Sequence, residues 1–212
     1  MKVGVIDYGV GNLGSVLRAL EVLRVTPLLI NRPVDMHTAD CLILPGVGNF
    51  ADCVGKLESG HWVTALKELV LGYKRPLLGV CVGMQLLADS STEGSFDGEP
   101  VMGLGFVPGQ VQHLGAMGCQ LRVPHVGWNA VTSTGTQDQL FQEIPSETDF
   151  YFVHSYAFEV QNANDVIATT VYGKTITAAV RRGQVWGTQF HPEKSSKAGF
   201  KILKNFIAGT SC

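Results

Sequence analysis

The sequence predicts an α/β fold: an open, mainly parallel twisted sheet with helices on both faces and antiparallel extensions. Three observations predict it. Strand-length apolar runs alternate with amphipathic helical patterns through the first half of the chain, the mark of parallel strands with crossover helices. Three Gly-bearing corners, "DYGVGN", "PGVGNF" and "GVCVG", each follow such a run and so should gather at one edge of the sheet. From about Gly94 onward the pattern switches to short strand candidates separated by turn signals. With 212 residues, 45% of them apolar, the chain can bury one sizeable core, and residues 1–212 read as a single domain.

Taken in order, "KVGVID" is a buried strand, and "GVGN" turns it into a helix. That helix carries Leu13, Val16, Leu17, Leu20 and Leu23 at helical spacing, with Asn12 as its expected N-cap. "PLLIN" and "CLILPG" are the next two strands. "HWVTALKELVLGYK" is a helix ended before Pro76, and "PLLGVC" is the fourth strand. Beyond Gly94 the strand candidates are "GLGFVPGQVQHL", "QLRVPHVGWNAV", "DFYFVHSYAFEV", "DVIATTVY", "TITAAVRR" and "QVWGTQFH". "SSKAGFKILKNFIAG" closes the chain as a helix with Phe200, Leu203, Phe206 and Ile207 facing inward and Ser195 or Ser196 as its cap.

Composition narrows the function. The formal net charge is −2, and no basic run interleaved with aromatics argues for nucleic acid. No apolar stretch approaches membrane-spanning length. "MKVGVIDYG" enters a strand at once, without the pattern of a signal or transit peptide, so the expected compartment is the cytosol. The five cysteines, Cys41, Cys53, Cys81, Cys119 and Cys212, are scattered and lack Cys-x-x-Cys spacing. Most read as small buried apolar residues, Cys41 above all.

Cys81 is the exception. "LLGVCVGMQLL" places it between Gly79 and Gly83 where a strand becomes a helix, the cysteine form of a nucleophile elbow. The turn aims the thiol at a helix N-terminus, whose exposed N–H groups favour a thiolate. A cysteine nucleophile needs a base, and the base needs an orienting group. "GTQFHPEKS" supplies both: His191 ends an apolar strand, Pro192 breaks it, and Glu193 follows two residues on. In an extended backbone the two side chains point the same way, so the carboxylate holds one imidazole nitrogen while the other faces Cys81. Attack on an amide also needs donors for the oxyanion. The N–H of Val82 is one, and the "PGVGNF" turn, with Val47 and Gly48, is the expected second source.

Other readings are weaker. "DYGVGN" resembles a dinucleotide fingerprint only loosely, because no acidic residue ends the second strand; Asn31 and Arg32 stand there. His125, His154 and His191 lack metal-ligand spacing, and no metal or cofactor is expected. Trp128 in "VPHVGWN" reads on composition either as a core aromatic or as a contact residue.

The motifs "PGVGNF", "GVCVGMQLL", "VPHVGWN", "YFVHSY" and "FHPEKS", in this order, resemble those of the class I (triad) glutamine amidotransferases. More narrowly, "DYGVGNLGSV", "VPHVGWN" and "YFVHSYAF" resemble glutaminase subunits of imidazole glycerol phosphate synthases. The resemblance spans essentially the whole chain and implies a flavodoxin-like fold. It implies hydrolysis of L-glutamine to glutamate and ammonia, and delivery of the ammonia to a (β/α)8-barrel cyclase subunit in a heterodimer of histidine biosynthesis. By position it makes Cys81 the nucleophile, His191 the acid/base and Glu193 its orienter. It places Gln85 and Glu93 at the charged head of the substrate, and Ser155 and Tyr156 at its backbone contacts. Asn12, Pro124, Trp128, Tyr151 and Lys194 fall where the cyclase docks.

Two other classes compete with this reading. A noncatalytic binding module has no need of the complete Cys/His/Glu set. A cysteine peptidase explains Cys81 and His191 but leaves Gln85, Glu93 and "PHVGWN" without a role. Within the family, a paralogue feeding a different synthase, such as one amidinating a surface sugar, fits the same motifs.

Overall fold

The computed structural model describes residues 1–134 and 138–210; Cys212 lies outside them. The helices are α1 (Leu13–Val22), α2 (Phe50–Ser59), α3 (Trp62–Lys67), α4 (Val82–Gln85) and α5 (Ser196–Gly209). The first seven strands are β1 (Lys2–Ile6), β2 (Thr26–Ile30), β3 (Cys41–Gly46), β4 (Leu77–Cys81), β5 (Ser90–Phe96), β6 (Glu99–Met102) and β7 (Gly109–His113). Then come β8 (His125–Ser133), β9 (Thr148–His154), β10 (Tyr156–Val160), β11 (Val166–Val171), β12 (Thr175–Arg182) and β13 (Val185–Thr188).

Nine strands form one sheet in the order β2-β1-β3-β4-β13-β12-β11-β8-β9. The first five run parallel, and β12, β11, β8 and β9 extend them antiparallel. The parallel strands read as continuous apolar runs because helices cover both faces; every residue of β3 and β4 is buried. A second sheet, β10-β7-β5-β6, packs beside the first. The predicted fold class is met.

Several local expectations change. "PGVGNF" opens a full helix, α2, that the apolar pattern did not announce. Asn49 caps it, its side chain accepting from Ala51 N and Asp52 N. The predicted long helix at His61 is instead α3 followed by a wider turn at Glu68–Gly72. "DFYFVHSYAFEV" is two strands: β9 belongs to the large sheet and β10 to the small one, with Ser155 at the break. "DSSTEGSFDGEP" forms a hairpin of β5 and β6. Asn12 stands at the N-cap of α1 and Ser195 at that of α5, but neither side chain caps its helix. On α5, Leu203, Phe206 and Ile207 are buried, whereas Phe200 is only partly so.

The corners converge as expected. Cys81 at the end of β4 sits directly opposite Gly46 at the end of β3. A Cβ on Gly83 would lie 1.9 Å from Leu44 O, and one on Gly79 would lie 2.5 Å from Gly83 O. Both are contacts with backbone that cannot swing away, so only glycine allows this corner to close.

Candidate active site

Cys81 is held at φ 55°, ψ −113°, a strained backbone for a residue with a side chain. Neighbouring elements over-determine it: β3 on one side, β13 on the other and α4 starting at the next residue. The elbow therefore forms as the sequence predicts. Its thiol is 3.9 Å from Val153 O on β9 and 4.0 Å from Gln189 Nε2.

His191 and Glu193 also meet, by a different local route. β13 ends at Thr188, and His191 starts a short 3-10 turn over Pro192–Lys194. The turn, rather than an extended chain, brings Glu193 Oε1 to 2.8 Å from His191 Nδ1. Both side chains are 2% exposed. Burial pulls the imidazole pKa down, but Cys81 and Glu193 outweigh it, and the value stands at about 9. His191 Nε2 has no hydrogen-bond partner among the described residues. Cys81 lines the same cavity and lies close enough to raise the imidazole pKa. A resting catalytic pair commonly tightens only once substrate is bound.

Ser195, expected from the sequence as a helix cap, fixes this turn. Its hydroxyl donates to His191 O at 2.6 Å and accepts from Tyr151 N at 3.0 Å. His191 N in turn donates to Tyr151 O at 2.9 Å. The base is thereby pinned to β9.

One cavity of about 190 Å³ is lined by Cys81, His191, Val47, Gly48, Val82, Gln85, Glu93, Ser155 and Tyr156, all singled out in the sequence, with Lys194, Val153 and His154. Gly48, at φ +88°, takes the conformation that its corner needs. Glu93 reaches the cavity from β5, and its Oε2 accepts from Phe50 N at 2.9 Å. Burial raises its pKa, opposed by that Phe50 bond. Its second oxygen remains for a ligand cation. Tyr8 lies near the sulfur as well; burial and Cys53 hold its phenol protonated, well above the ordinary value.

Behind the cavity runs a polar chain that no sequence motif announces. The carbonyl of Tyr156 can only accept, and it does so from His154 Nδ1 at 2.8 Å and Gln85 Nε2 at 2.9 Å. His154 Nε2 is then an acceptor, 2.9 Å from His125 Nδ1. His125 Nε2 in turn accepts from Asn129 Nδ2 at 3.2 Å. In the other direction, Gln85 Nε2 also donates to Gln189 Oε1 at 3.0 Å. Burial depresses both histidines, to about 4 for His125 and about 3 for His154, so both are neutral at pH 7. With both N–H bonds of Gln85 committed, its Oε1 is the atom left to meet an ammonium group. The overlooked signal was Gln189 itself, a polar residue in an apolar strand, two places before His191.

Of the expected docking residues, Trp128, Tyr151 and Lys194 lie close together. Val126, Trp128 and Val153 are exposed on the outer face of the β8–β9 ribbon, with Trp128 at 54%. Trp128 is thus a surface aromatic and not a core one. It pairs across the ladder with Tyr151, and Lys194 Nζ lies 5.8 Å from the Tyr151 ring centre. Pro124 is exposed, and Asn12 is half-buried at the end of the β1 corner.

The fold and this cysteine–histidine–carboxylate site define a glutamine amidotransferase. The chain matches the class-I glutamine amidotransferase family over residues 4–209 and belongs to it. It is 44% identical over 211 residues to imidazole glycerol phosphate synthase subunit HisH 1 of Prochlorococcus marinus, covering 98% of this chain and 97% of that protein. It is also 44% identical over 204 residues to subunit HisH of the same synthase from Moorella thermoacetica, covering 96% and 93%. In fold it is similar to the solved structure of PurLQS from Thermotoga maritima. There the TM-score is 0.74 at 15% identity, covering 98% of each chain. A solved glutamine amidotransferase matches with a TM-score of 0.75 at 18% identity, covering 99% of each chain. Among the described residues no helix is long and apolar enough to cross a membrane.

Proposed function

We propose that the chain is the glutaminase subunit of an imidazole glycerol phosphate synthase, working in the cytosol for histidine biosynthesis. The observation that carries the reading is the single cavity lined by Cys81, His191 and Glu93 together. Glu93 and Gln85 Oε1 receive the α-ammonium of L-glutamine, and the backbone at Ser155 and Tyr156 receives its carboxylate. Cys81 passes its thiol proton to His191, the sulfur attacks the side-chain carbonyl, and N–H groups at Val47, Gly48 and Val82 hold the oxyanion. His191, oriented by Glu193, gives a proton to the departing nitrogen as the C–N bond breaks. Ammonia leaves and a glutamyl thioester remains. Water then attacks the thioester, His191 takes its proton, and glutamate departs.

The ammonia passes to a (β/α)8-barrel cyclase, which makes imidazole glycerol phosphate and the aminoimidazole carboxamide ribonucleotide. Two features support docking at Asn12, Pro124, Trp128, Tyr151 and Lys194. The face is apolar and exposed at Val126, Trp128 and Val153, as partner contacts are. It also lies on the strand whose Val153 carbonyl backs the reactive sulfur. A partner seated there is within reach of both the thioester and Lys194. Glutaminase assays with L-glutamine and L-asparagine, with and without the cyclase, test the reading. The expected result is release of ammonia from glutamine alone, at a rate raised by the cyclase. Equal turnover of asparagine, or none of glutamine with the cyclase present, overturns it.

A further inference from the structure

We propose that Gln189 is a further catalytic residue, an amide donor to the Cys81 sulfur that Gln85 locks into that orientation. The inference rests on the glutaminase reading for its chemistry but on geometry for the contact. An amide side chain has two ends, and a chain of bonds decides which end faces the sulfur. The Tyr156 carbonyl accepts only, so the Gln85 atom 2.9 Å from it is the Nε2 donor. The other N–H of that nitrogen reaches Gln189 at 3.0 Å, where an oxygen must stand. Gln189 then presents Nε2 to Cys81 Sγ at 4.0 Å. Turning its amide over would set two donors against each other in a buried site, with the sulfur facing an oxygen. Such a buried mismatch is costly.

The rest of the residue leaves it little freedom. Gln189 is fully buried, and its backbone N donates to Ala178 O at 2.8 Å. The same amide would be an unusual choice for packing alone, since the β13 residues before it are apolar or small. At rest the thiol is 3.9 Å from Val153 O, its acceptor, and Gln189 stands on another side as donor. Once the proton has gone, the sulfur needs donors and no longer offers one. A contact at the long limit of an N–H···S bond then shortens as charge gathers on the sulfur. The ionisable groups facing the sulfur are His191 and the neutral Tyr8, with Glu193 behind His191. Gln189 adds a donor that does not titrate.

Two substitutions test this. Gln189→Glu keeps an oxygen for Gln85 and replaces the donor with an acceptor. Gln189→Met removes the donor without adding charge. In both, alkylation of Cys81 by iodoacetamide at pH 7, followed on the Cys81 peptide by mass spectrometry, should slow by about tenfold. A loss of that size fits one hydrogen bond to a charged atom. With the cyclase present, kcat for glutamine should fall by about tenfold or more. KM should stay within about threefold, because the contact serves the sulfur and not the ground-state substrate. Folded variants with lower unfolding midpoints but unchanged alkylation would make Gln189 structural and overturn the proposal. Alkylation needs no glutamine, so it judges the contact even if the glutaminase reading fails. If neither variant folds, NMR of the native chain and of Cys81→Ala decides. The Gln189 side-chain amide protons should move more than those of Gln85, and equal displacement overturns the proposal.

Discussion

His191 Nδ1 and Glu193 Oε1 stand 2.8 Å apart with both side chains 2% exposed. The carboxylate has one oxygen on the imidazole, and the other, Oε2, has no partner among the described residues. Glu193 is thus dedicated to the histidine, fixing its tautomer and stabilising its protonated form. Glu193→Gln keeps the shape and removes the charge. It should lower the His191 pKa from about 9 and reduce kcat by about 10²-fold or more, the usual scale of positioned acid–base catalysis. KM should change little. A variant with wild-type kcat would show that the pair is only structural.

Glu93 separates substrate binding from chemistry. Its carboxylate lines the cavity while holding the first N–H of α2, and the contact to an α-ammonium exists both before and during attack. It is therefore mostly uniform binding. Glu93→Gln retains an oxygen for Phe50 N and loses the charge. KM for glutamine should rise by about tenfold or more, on the order of the 1.5–3 kcal/mol of a hydrogen bond to a charged group. kcat should fall far less. Steady-state kinetics with the cyclase present decide, and an unchanged KM would assign the ammonium to another group.

The buried histidine pair makes stability depend on pH. His154 has a folded pKa of about 3, below its ordinary value near 6.5, because burial disfavours its charged form. Between these values the unfolded chain binds more protons than the native one, so stability falls as pH falls. The contribution is complete above pH ~6.5 and is lost on the way down to the folded pKa. The slope from one such group is at most about 1.4 kcal/mol per pH unit. His125, at about 4, adds in the same direction. Urea midpoints from pH 7 to 4.5 measure it. His154→Gln, though less stable at pH 7, should show a visibly shallower loss, and a parallel curve would contradict the neutral-pair account.

The parallel half of the fold was legible because buried strands between crossover helices leave uninterrupted apolar runs. The Cys81 elbow was legible because two glycines cannot carry a Cβ there. α2 was missed because its signal is a cap, Asn49, after a glycine turn, while its apolar positions Phe50, Cys53, Val54 and Leu57 are few. The break at Ser155 was invisible because apolar alternation continues through it although the chain changes sheets. Glu193 was found for the right partner by the wrong path: residues two apart in an extended strand share a face, but Pro192 starts a 3-10 turn. The chain from Asn129 to Gln189 was out of reach, since it joins residues far apart in sequence through hydrogen bonds that no local pattern encodes.

The account stands on Cys81 as the atom that releases ammonia from glutamine. Cys81→Ala, assembled with the cyclase, should make no product from glutamine. With ammonium salts in place of glutamine it should make product at a rate close to wild type, because the cyclase needs only the ammonia. Paired measurements of the two reactions test this most directly. Glutamine-dependent synthesis within a few-fold of wild type in Cys81→Ala would contradict the account.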